Sequence, residues 1–375
     1  MTAAKRTTTA RLGHLRLSSQ RILGSTFETP VDAVRWMLAM QAQDFAGAKW
    51  SVGLRVPGST DAAVEAALAS GAIVRSWPMR GTLHFLAAED LHWILALTTP
   101  RLIAGAARRR ANLDLDDVTL GRAREIAIAR LSGDKALTRE RLLAELDRGG
   151  VSTEGQRGYH ILWHLSQTGS LCFGPTAGNA QTFVLLDEWV KRPRRLDHDE
   201  ALGELARRYF VSHGPATLRD FAGWTKLVAR DVKTGLDLAR AELAELVLDG
   251  ISYFMAPDAE QVLQRGVKLA SNMVVALPGF DEYLLGYQDR DAVLAPEHAN
   301  LIVPGGNGIF KPTIVVDGQV VGTWRRTKRS KETVVEALPF ARLPAGAMKG
   351  FELAVQQYGR FVGAVVRTEQ PRGDR

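Results

Sequence analysis

The chain has 375 residues, 46% of them hydrophobic and 24% charged, which excludes a disordered protein and indicates a globular one. Its 48 Lys and Arg against 41 Asp and Glu leave a net charge of +7, which suits a nucleic-acid partner. The polar N-terminus, the absence of a long apolar run and the single cysteine, Cys172, argue against a signal peptide, a membrane span and an internal disulfide, so we expect a cytoplasmic protein.

A chain of this length usually holds two to four modules. The first module combines helices and then two strands, predicted over residues 12–23, from 30, 45–56 and 61–70, and then over 73–75 and 82–86. Helices followed by a hairpin are the outline of a winged helix. The sequence therefore predicts that the chain begins with this motif.

The same outline recurs twice more along the chain. The second occurrence is predicted over residues 91–110, 122–131, 139–148 and 158–167, and then over 171–173 and 182–186. After a basic linker at 191–195, the third is predicted over residues 202–211, 218–224 and 232–243, and then over 246–248 and 251–255. The last two strands flank Asp249-Gly250, a favoured two-residue hairpin turn.

From Lys268 on, the composition becomes strand-like, with strands predicted at 273–277, 313–316 and 320–324 and a final helix at 350–360. We therefore expect an α+β fold, mainly α, in which about three tandem winged-helix motifs precede a small β-rich C-terminal domain. The predicted domains are 11–98 with the candidate catalytic loop, 99–192, 193–262 and 263–375.

Two glutamines stand out in the segment from Met40 to Asp44, after a helix that Thr29 can cap. Side chains two residues apart do not share a helix face, but in an extended segment Gln41 and Gln43 point the same way and Ala42 points oppositely. If the two carboxamides act together, the chain must leave the helix here. The alternative is an ordinary polar helix terminus.

Basic residues occur in three clusters, at 108–110, 191–195 and 325–331. Arginine clusters suit a phosphate backbone. Any single cluster is better explained as a solvated face or a linker, and it is the three together that favour nucleic acid. We expect contacts with DNA from five residues, namely Arg80, Arg325, Arg326, Lys328 and Arg329.

Other polar residues allow two interpretations each. His160 and His164 lie four apart on a predicted helix, but no third ligand is evident, so we favour packing and expect neither metal nor cofactor. Asp281-Glu282 is a paired carboxylate that can serve acid–base chemistry or pack between domains. The same choice holds for His84, which can line the same pocket as Gln41.

Five segments, taken in their order, resemble the AlkZ-like bacterial DNA glycosylases over about Arg11 to Val362. They are Leu17–Leu23, Gln41–Gln43, Arg80–His84, Phe280–Tyr287 and Val316–Arg325. The resemblance implies winged helices and a β domain that grip alkylated DNA. It also implies excision of N7-alkylguanines, including bulky natural-product adducts or interstrand crosslinks, in general repair or antibiotic self-resistance.

The family's motif, Gln-aliphatic-Gln, maps onto Gln41, Ala42 and Gln43, so the resemblance implies that Gln41 and Gln43 are catalytic. Asp44, His84 and Asp281 are candidates for supporting roles, although capping of the helix from Phe45 is the more ordinary role for Asp44. We expect a monomer that acts on double-stranded DNA and not on a membrane. The competing hypothesis is a winged-helix regulator without chemistry, which would have no use for two convergent carboxamides.

A neutral carboxamide cannot act as a strong acid or base near pH 7. It can hold a water molecule and direct its dipole at the deoxyribose as oxocarbenium character develops. This suffices only for a base that leaves readily, and N7-alkylated guanine qualifies because it is already cationic and departs neutral. The motif contains no lysine, so we expect direct hydrolysis without a Schiff base.

Overall fold

The structure, a computed structural model, describes residues 9–266, 273–329 and 332–369. The first eight residues, the predicted change of composition at Lys268 and the Lys331 end of the third basic cluster lie outside these ranges. The fold is a mixed α+β fold, about half helical, which confirms the predicted class. The number of winged helices, the separate C-terminal β domain and the four domain boundaries stay predictions.

The described residues form two compact units. The first contains the residues up to Val64, Gly203–Trp224 and those from Val228 onward, and the second contains Glu65–Leu202 with Thr225–Leu227. Each unit is described separately below.

Helices account for most of the regular structure. They are α1 Thr9–Ser19, α2 Pro30–Met37, α3 Phe45–Leu54, α4 Asp61–Ala69, α5 Leu91–Gly105, α6 Ala107–Ala111, α7 Asp117–Leu131, α8 Arg139–Arg148, α9 Arg157–Gln167, α10 Leu186–Trp189, α11 His198–His213, α12 Leu218–Thr225, α13 Ala229–Ala239, α14 Ala259–Gly266, α15 Glu282–Leu285, α16 Ala299–Ile302 and α17 Ala345–Val362. Short 3-10 turns lie at Ala88–Asp90, Arg240–Glu242, Pro296–His298 and Pro304–Gly306. Within the described residues, no helix is both long enough and apolar enough to cross a bilayer.

The strands lie between these helices. They are β1 Met40–Gln41, β2 Ile73–Met79, β3 Thr82–Ala87, β4 Leu137–Thr138, β5 Leu171–Ala177, β6 Ala180–Leu185, β7 Ala244–Leu248, β8 Ile251–Met255, β9 Val274–Leu277, β10 Thr313–Val316, β11 Gln319–Lys328, β12 Thr333–Pro339 and β13 Val366–Glu369.

In the first unit, five strands form a sheet in the order β13-β12-β11-β10-β9. Neighbouring strands are antiparallel except β12 and β13, which are parallel. The β10–β11 turn has Asp317 and Gly318 at φ 48° and 78°, and the pair Asp249 and Gly250 has φ 50° and 79° between β7 and β8. Both Asp-Gly hairpins therefore form, because such turns require two residues with positive φ.

Helices α1, α3 and α17 pack on this sheet. The backbones of α1 and the β10–β11 turn approach so closely that a Cβ on Gly13 would lie 2.5 Å from the Gly318 carbonyl oxygen. Trp50 of α3 packs edge-on against Tyr358 of α17, at a ring distance of 5.3 Å. Its indole N–H donates to the Ala276 carbonyl at 3.0 Å. These contacts hold the N-terminus of α3 beside the sheet.

In the second unit, the strands lie in the order β3-β2-β5-β6-β4. Both predicted hairpins of this unit form, and they join into one sheet where Arg75 of β2 pairs with Phe173 of β5. Helices α7, α8 and α9 cover a core around Trp77. The pairing between the hairpins was not predicted, since it joins residues almost a hundred positions apart.

Several predicted helices have limits in the structure that differ by a few residues, and for two of them a turn changes the end of the helix. The first helix ends at Ser19 rather than 23, because Arg21 adopts φ 56° and the Ile22 N–H donates to the Leu17 carbonyl at 2.9 Å. This is the Schellman pattern that closes a helix. The helix predicted over 91–110 is divided at Ala106 into α5 and α6.

Candidate active site

The chain enters the candidate site through α2, which has a complete capping box. The Thr29 side chain accepts from the Asp32 N–H, and the Asp32 carboxylate accepts from the Thr29 N–H. The helix stops at Met37 because Leu38 takes φ 66°, a conformation uncommon for a residue with a side chain. The chain then becomes extended at Met40–Gln41, so it leaves the helix before the glutamine pair, as the hypothesis of two cooperating carboxamides requires.

Gln41 and Gln43 differ in their surroundings. Gln41 is only 7% exposed, Ala42 is fully buried and Gln43 is exposed. The Gln41 Oε1 accepts a hydrogen bond from the Gln43 backbone N–H at 3.2 Å, and an N–H donor there requires the amide oxygen rather than the nitrogen. The first carboxamide therefore orients the backbone that carries the second one.

The remaining hydrogen-bonding capacity of Gln41 lies on its amide nitrogen and on the second lone pair of its Oε1. Within residues 9–266, 273–329 and 332–369, this Nε2 donates to no protein group. A carboxamide nitrogen has two donors. They are therefore left to a water molecule or a ligand.

Asp44 caps α3. Its Oδ1 accepts from the Gly47 N–H at 3.1 Å, which confirms the capping role. A Cβ on Gly47 would lie 2.5 Å from the Asp44 Oδ2, so a larger residue there would displace the cap. The same oxygen lies 3.9 Å from Nη2 of Arg326, whose Nη1 donates to the Tyr358 hydroxyl at 2.8 Å. A catalytic role for Asp44 stays a prediction.

A buried carboxylate, Glu282, lies directly behind the Gln41 backbone. Its Oε1 accepts from the Gln41 N–H at 3.1 Å, and its Oε2 accepts from the Trp224 indole N–H at 2.9 Å. The His213 Nε2 lies 3.5 Å from the same Oε2. Glu282 is 1% exposed. From the sequence, Asp281 was the member of the Asp281-Glu282 pair predicted to support the site, whereas Glu282 is the member that bonds to the glutamine segment.

Asp281, the member predicted to support the site, forms an ion pair with Arg55. The two Arg55 amino groups donate to its two oxygens at 2.9 and 3.1 Å, and both residues are buried. The carboxylate also accepts from the Ser51 hydroxyl and from the Tyr283 N–H. Asp281 thus connects α3 to α15, and a part in catalysis stays a prediction.

Gln20 connects these two carboxylate centres. Its Oε1 accepts from Arg55 at 2.8 Å, while its Nε2 donates to the Glu282 carbonyl at 3.2 Å and to the Tyr287 hydroxyl at 3.0 Å. Burial raises the pKa of Tyr287 far above its ordinary value, so the phenol stays protonated and donates to the His213 carbonyl. Most donors and acceptors are thus paired behind the glutamine segment, as buried polar groups require, although the Arg55 Nε has no hydrogen-bond partner among the described residues.

Arg80 and His84 belong to the second unit, at the β2–β3 hairpin. His84 is fully buried, and its Nδ1 lies 2.9 Å from the Thr82 carbonyl. A carbonyl only accepts, so Nδ1 carries the proton and the Nε2 lone pair accepts from Arg80 at 2.9 Å. A neutral His84 therefore orients Arg80. Contacts of these residues with DNA or substrate stay predictions.

The predicted DNA-binding residues of β11 and the turn after it are exposed and mostly paired. Arg325 bonds to Glu336, and Arg329 lies 3.8 Å from Glu332 and from Glu369. Lys328 forms no ion pair with any residue that the structure describes. Contact with DNA by these residues stays a prediction.

His160, the first of the two helical histidines, lies among aromatic rings. His160 packs edge-on against Tyr159, with ring centroids 5.2 Å apart, and near Trp163. Burial, and then the nearby arginine, lowers the pKa of both His160 and His164. Among the described residues, no three His, Cys, Asp or Glu side chains converge as a metal site would require.

The chain is similar to known DNA glycosylases over most of its length. A family model described as DNA glycosylase AlkZ-like matches residues 34–361. An interstrand DNA cross-link repair glycosylase from Streptomyces sahachiroi is 29% identical over 361 residues, covering 89% of this chain and 92% of the relative. The solved structure of Streptomyces sahachiroi DNA glycosylase AlkZ superposes with a TM-score of 0.79 at 26% identity, covering 97% of this chain and 100% of that one.

Proposed function

Because this chain belongs to the AlkZ-like DNA glycosylase family, we propose that it excises N7-alkylguanine from duplex DNA and that Gln41 and Gln43 are its catalytic residues. The chain is a DNA glycosylase, a hydrolase of N-glycosyl bonds, so the regulator hypothesis is set aside. The proposal extends to interstrand crosslinks and bulky adducts, since the name of the Streptomyces sahachiroi relative includes cross-link repair. We further propose a monomer without cofactor that acts in the cytoplasm.

One observation carries the proposal. In the extended segment Met40–Gln41 and the residues after it, Ala42 is buried while Gln41 retains two N–H donors without a partner among the described residues. The buried alanine and the Gln41–Gln43 hydrogen bond fix the geometry of the pair. Such preorganised dipoles act without rearrangement when charge develops in a transition state.

The chemistry follows from the carboxamides. As the glycosidic bond lengthens, positive charge develops on the deoxyribose, and the carboxamide oxygens direct their negative ends at it. A water held by the pair then adds to the anomeric carbon and releases its proton to solvent. The alkylated guanine takes both bonding electrons and leaves as a neutral base.

The same chemistry restricts the substrate. A carboxamide supplies no proton to the leaving base and does not fully ionise the attacking water. An ordinary guanine would leave as an anion and therefore needs such help, whereas an N7-alkylated guanine does not. We therefore expect labile cationic adducts to be excised and normal bases to be left intact.

The proposal is tested by incubating the protein with three matched duplexes. The first carries one N7-methylguanine, the second an N7–N7 crosslink between guanines, and the third is unmodified. We expect base release and an abasic site in the first two only, and a slower release with Gln41→Ala. Excision of unmodified guanine, or equal rates for wild type and Gln41→Ala, would contradict the mechanism.

A further inference from the structure

We propose that Glu282 is a positioning residue for base excision, acting on the reaction through the backbone of Gln41. This inference rests on the proposed catalytic role of Gln41. Glu282 lies in α15, more than two hundred residues from the glutamine segment in sequence, yet its Oε1 accepts from the Gln41 N–H at 3.1 Å. The residue before it, Asp281, bonds to Arg55 instead.

The two carboxylate oxygens of Glu282 have separate partners. Oε1 receives the Gln41 backbone N–H and Oε2 receives the Trp224 indole N–H at 2.9 Å. Both partners are donors that cannot accept. A carboxylate accepts from both donors at once. A carboxamide at this position has only one oxygen, so its NH2 group would face the N–H of the other donor.

The surroundings keep this carboxylate in one place. Glu282 is buried, its Oε2 lies 3.5 Å from the His213 imidazole, and the Gln20 amide bonds to its main-chain carbonyl. The His213 ring stacks on Tyr209 at 4.8 Å and packs against Trp224 at 5.3 Å. Because the Glu282 carboxylate is held in place, its buried and charge-assisted hydrogen bond defines where the Gln41 backbone lies.

The position of that backbone determines the position of both proposed catalytic side chains. Gln41 carries the first carboxamide, and its Oε1 accepts from the Gln43 N–H and thereby orients the second. A displacement of the Gln41 backbone is therefore passed to the whole pair. Misplacement of a catalytic group by about 1 Å can cost on the order of a hundredfold in rate.

Glu282→Gln tests the inference in single-turnover excision of N7-methylguanine from duplex DNA. We expect the rate to fall about 10- to 100-fold while the affinity for the duplex is nearly unchanged. A wild-type rate for a folded Glu282→Gln protein would overturn the inference.

A double-mutant cycle separates positioning from a general structural effect. If Glu282 acts through Gln41, then Glu282→Gln should slow the wild type strongly and have little further effect on Gln41→Ala. Equal slowing in both backgrounds would show that Glu282 supports the protein without positioning Gln41.

Asp220 provides a matched control in the same unit. It is also fully buried, and its carboxylate accepts from the backbone N–H groups of Thr217, Gln288 and Asp289, outside the glutamine segment. Asp220→Asn should lower the melting temperature and leave the excision rate of the folded protein unchanged. Slowing equal to that of Glu282→Gln would indicate that any loss of a buried carboxylate impairs excision.

A second variant decides the question if Glu282→Gln does not fold. Trp224→Phe removes the donor to Oε2 and leaves Glu282 in place, so we expect a smaller slowing that also disappears in the Gln41→Ala background. A wild-type rate for Trp224→Phe would then contradict the inference. Failure of the proposed function looks different, because wild type itself would release no alkylated base or Gln41→Ala would be as fast as wild type.

Discussion

The first unit contains two strongly polar regions with opposite surroundings. Behind Gln41, the charged groups are buried and matched, as in the Arg55–Asp281 pair and the Glu282 carboxylate. At the end of β11, the side chain of Arg325 is 66% exposed and its partner, Glu336, can be exchanged for another anion. Buried ion pairs fix the positions of the residues that form them, whereas an exposed arginine can exchange its carboxylate partner for a DNA phosphate. We therefore expect the first region to govern rate and stability and the second to govern affinity for DNA.

The largest effect is expected from opening the buried pair. Asp281→Asn leaves the Arg55 guanidinium buried without its anion, and breaking such a pair costs about 3–5 kcal/mol. Arg325→Ala is the matched comparison, since exposed pairs contribute about 0–1 kcal/mol. The free energy of unfolding, measured in denaturant, should separate the two variants clearly. Equal losses would mean that burial does not distinguish the two regions.

The next effect is on rate. Gln41→Ala and Gln43→Ala should each cost about 2–4 kcal/mol of transition-state stabilisation, or roughly thirty- to a thousandfold in single-turnover excision. The double variant should lose less than the product of the single losses, because the Gln41 side chain also holds the Gln43 backbone. DNA affinity, measured in parallel, should stay nearly constant.

Arg325 and Arg326 should affect binding instead. Replacing both by alanine should flatten the dependence of the logarithm of affinity on the logarithm of salt concentration by about one to two units. Titration of the duplex at several salt concentrations measures this slope. If wild-type affinity is the same at low and physiological salt, the phosphate contacts proposed for this strand do not exist.

Asp44 lies between the two regions, and we expect only a small effect there. Asparagine caps helices about as well as aspartate, so Asp44→Asn should change stability little and the rate modestly. Thermal unfolding and the single-turnover rate provide the two measurements. Loss of all excision in Asp44→Asn would assign the chemistry to a carboxylate rather than to the glutamines.

The smallest effect is expected from reagents that target thiols or metals. Cys172 is fully buried and burial raises its pKa far above the ordinary value, so little thiolate is available to react. Activity should survive iodoacetamide and prolonged EDTA treatment. Activity that EDTA removes and a divalent cation restores would overturn the metal-free mechanism.

Local signals in the sequence were sufficient for much of the fold. The Asp-Gly pair at 249–250 predicted its hairpin because few other residues tolerate two successive positive φ angles. Thr29 and Asp44 predicted helix starts, since their side chains satisfy backbone N–H groups only a few residues away. The spacing of the two glutamines indicated that the chain leaves the helix only if the two carboxamides act together.

Only the tertiary structure decided which partner each carboxylate of the Asp281-Glu282 pair has. One carboxylate pairs with Arg55 and the other holds the Gln41 backbone, although the two are adjacent in sequence. Periodicity and capping rules act over a few residues, whereas these partners come from α3 and β1, more than two hundred residues away. The sequence by itself left an extended glutamine segment and an ordinary polar helix terminus as alternatives, and the structure decided for the extended segment. Only long-range packing determined which buried carboxylate lies behind it.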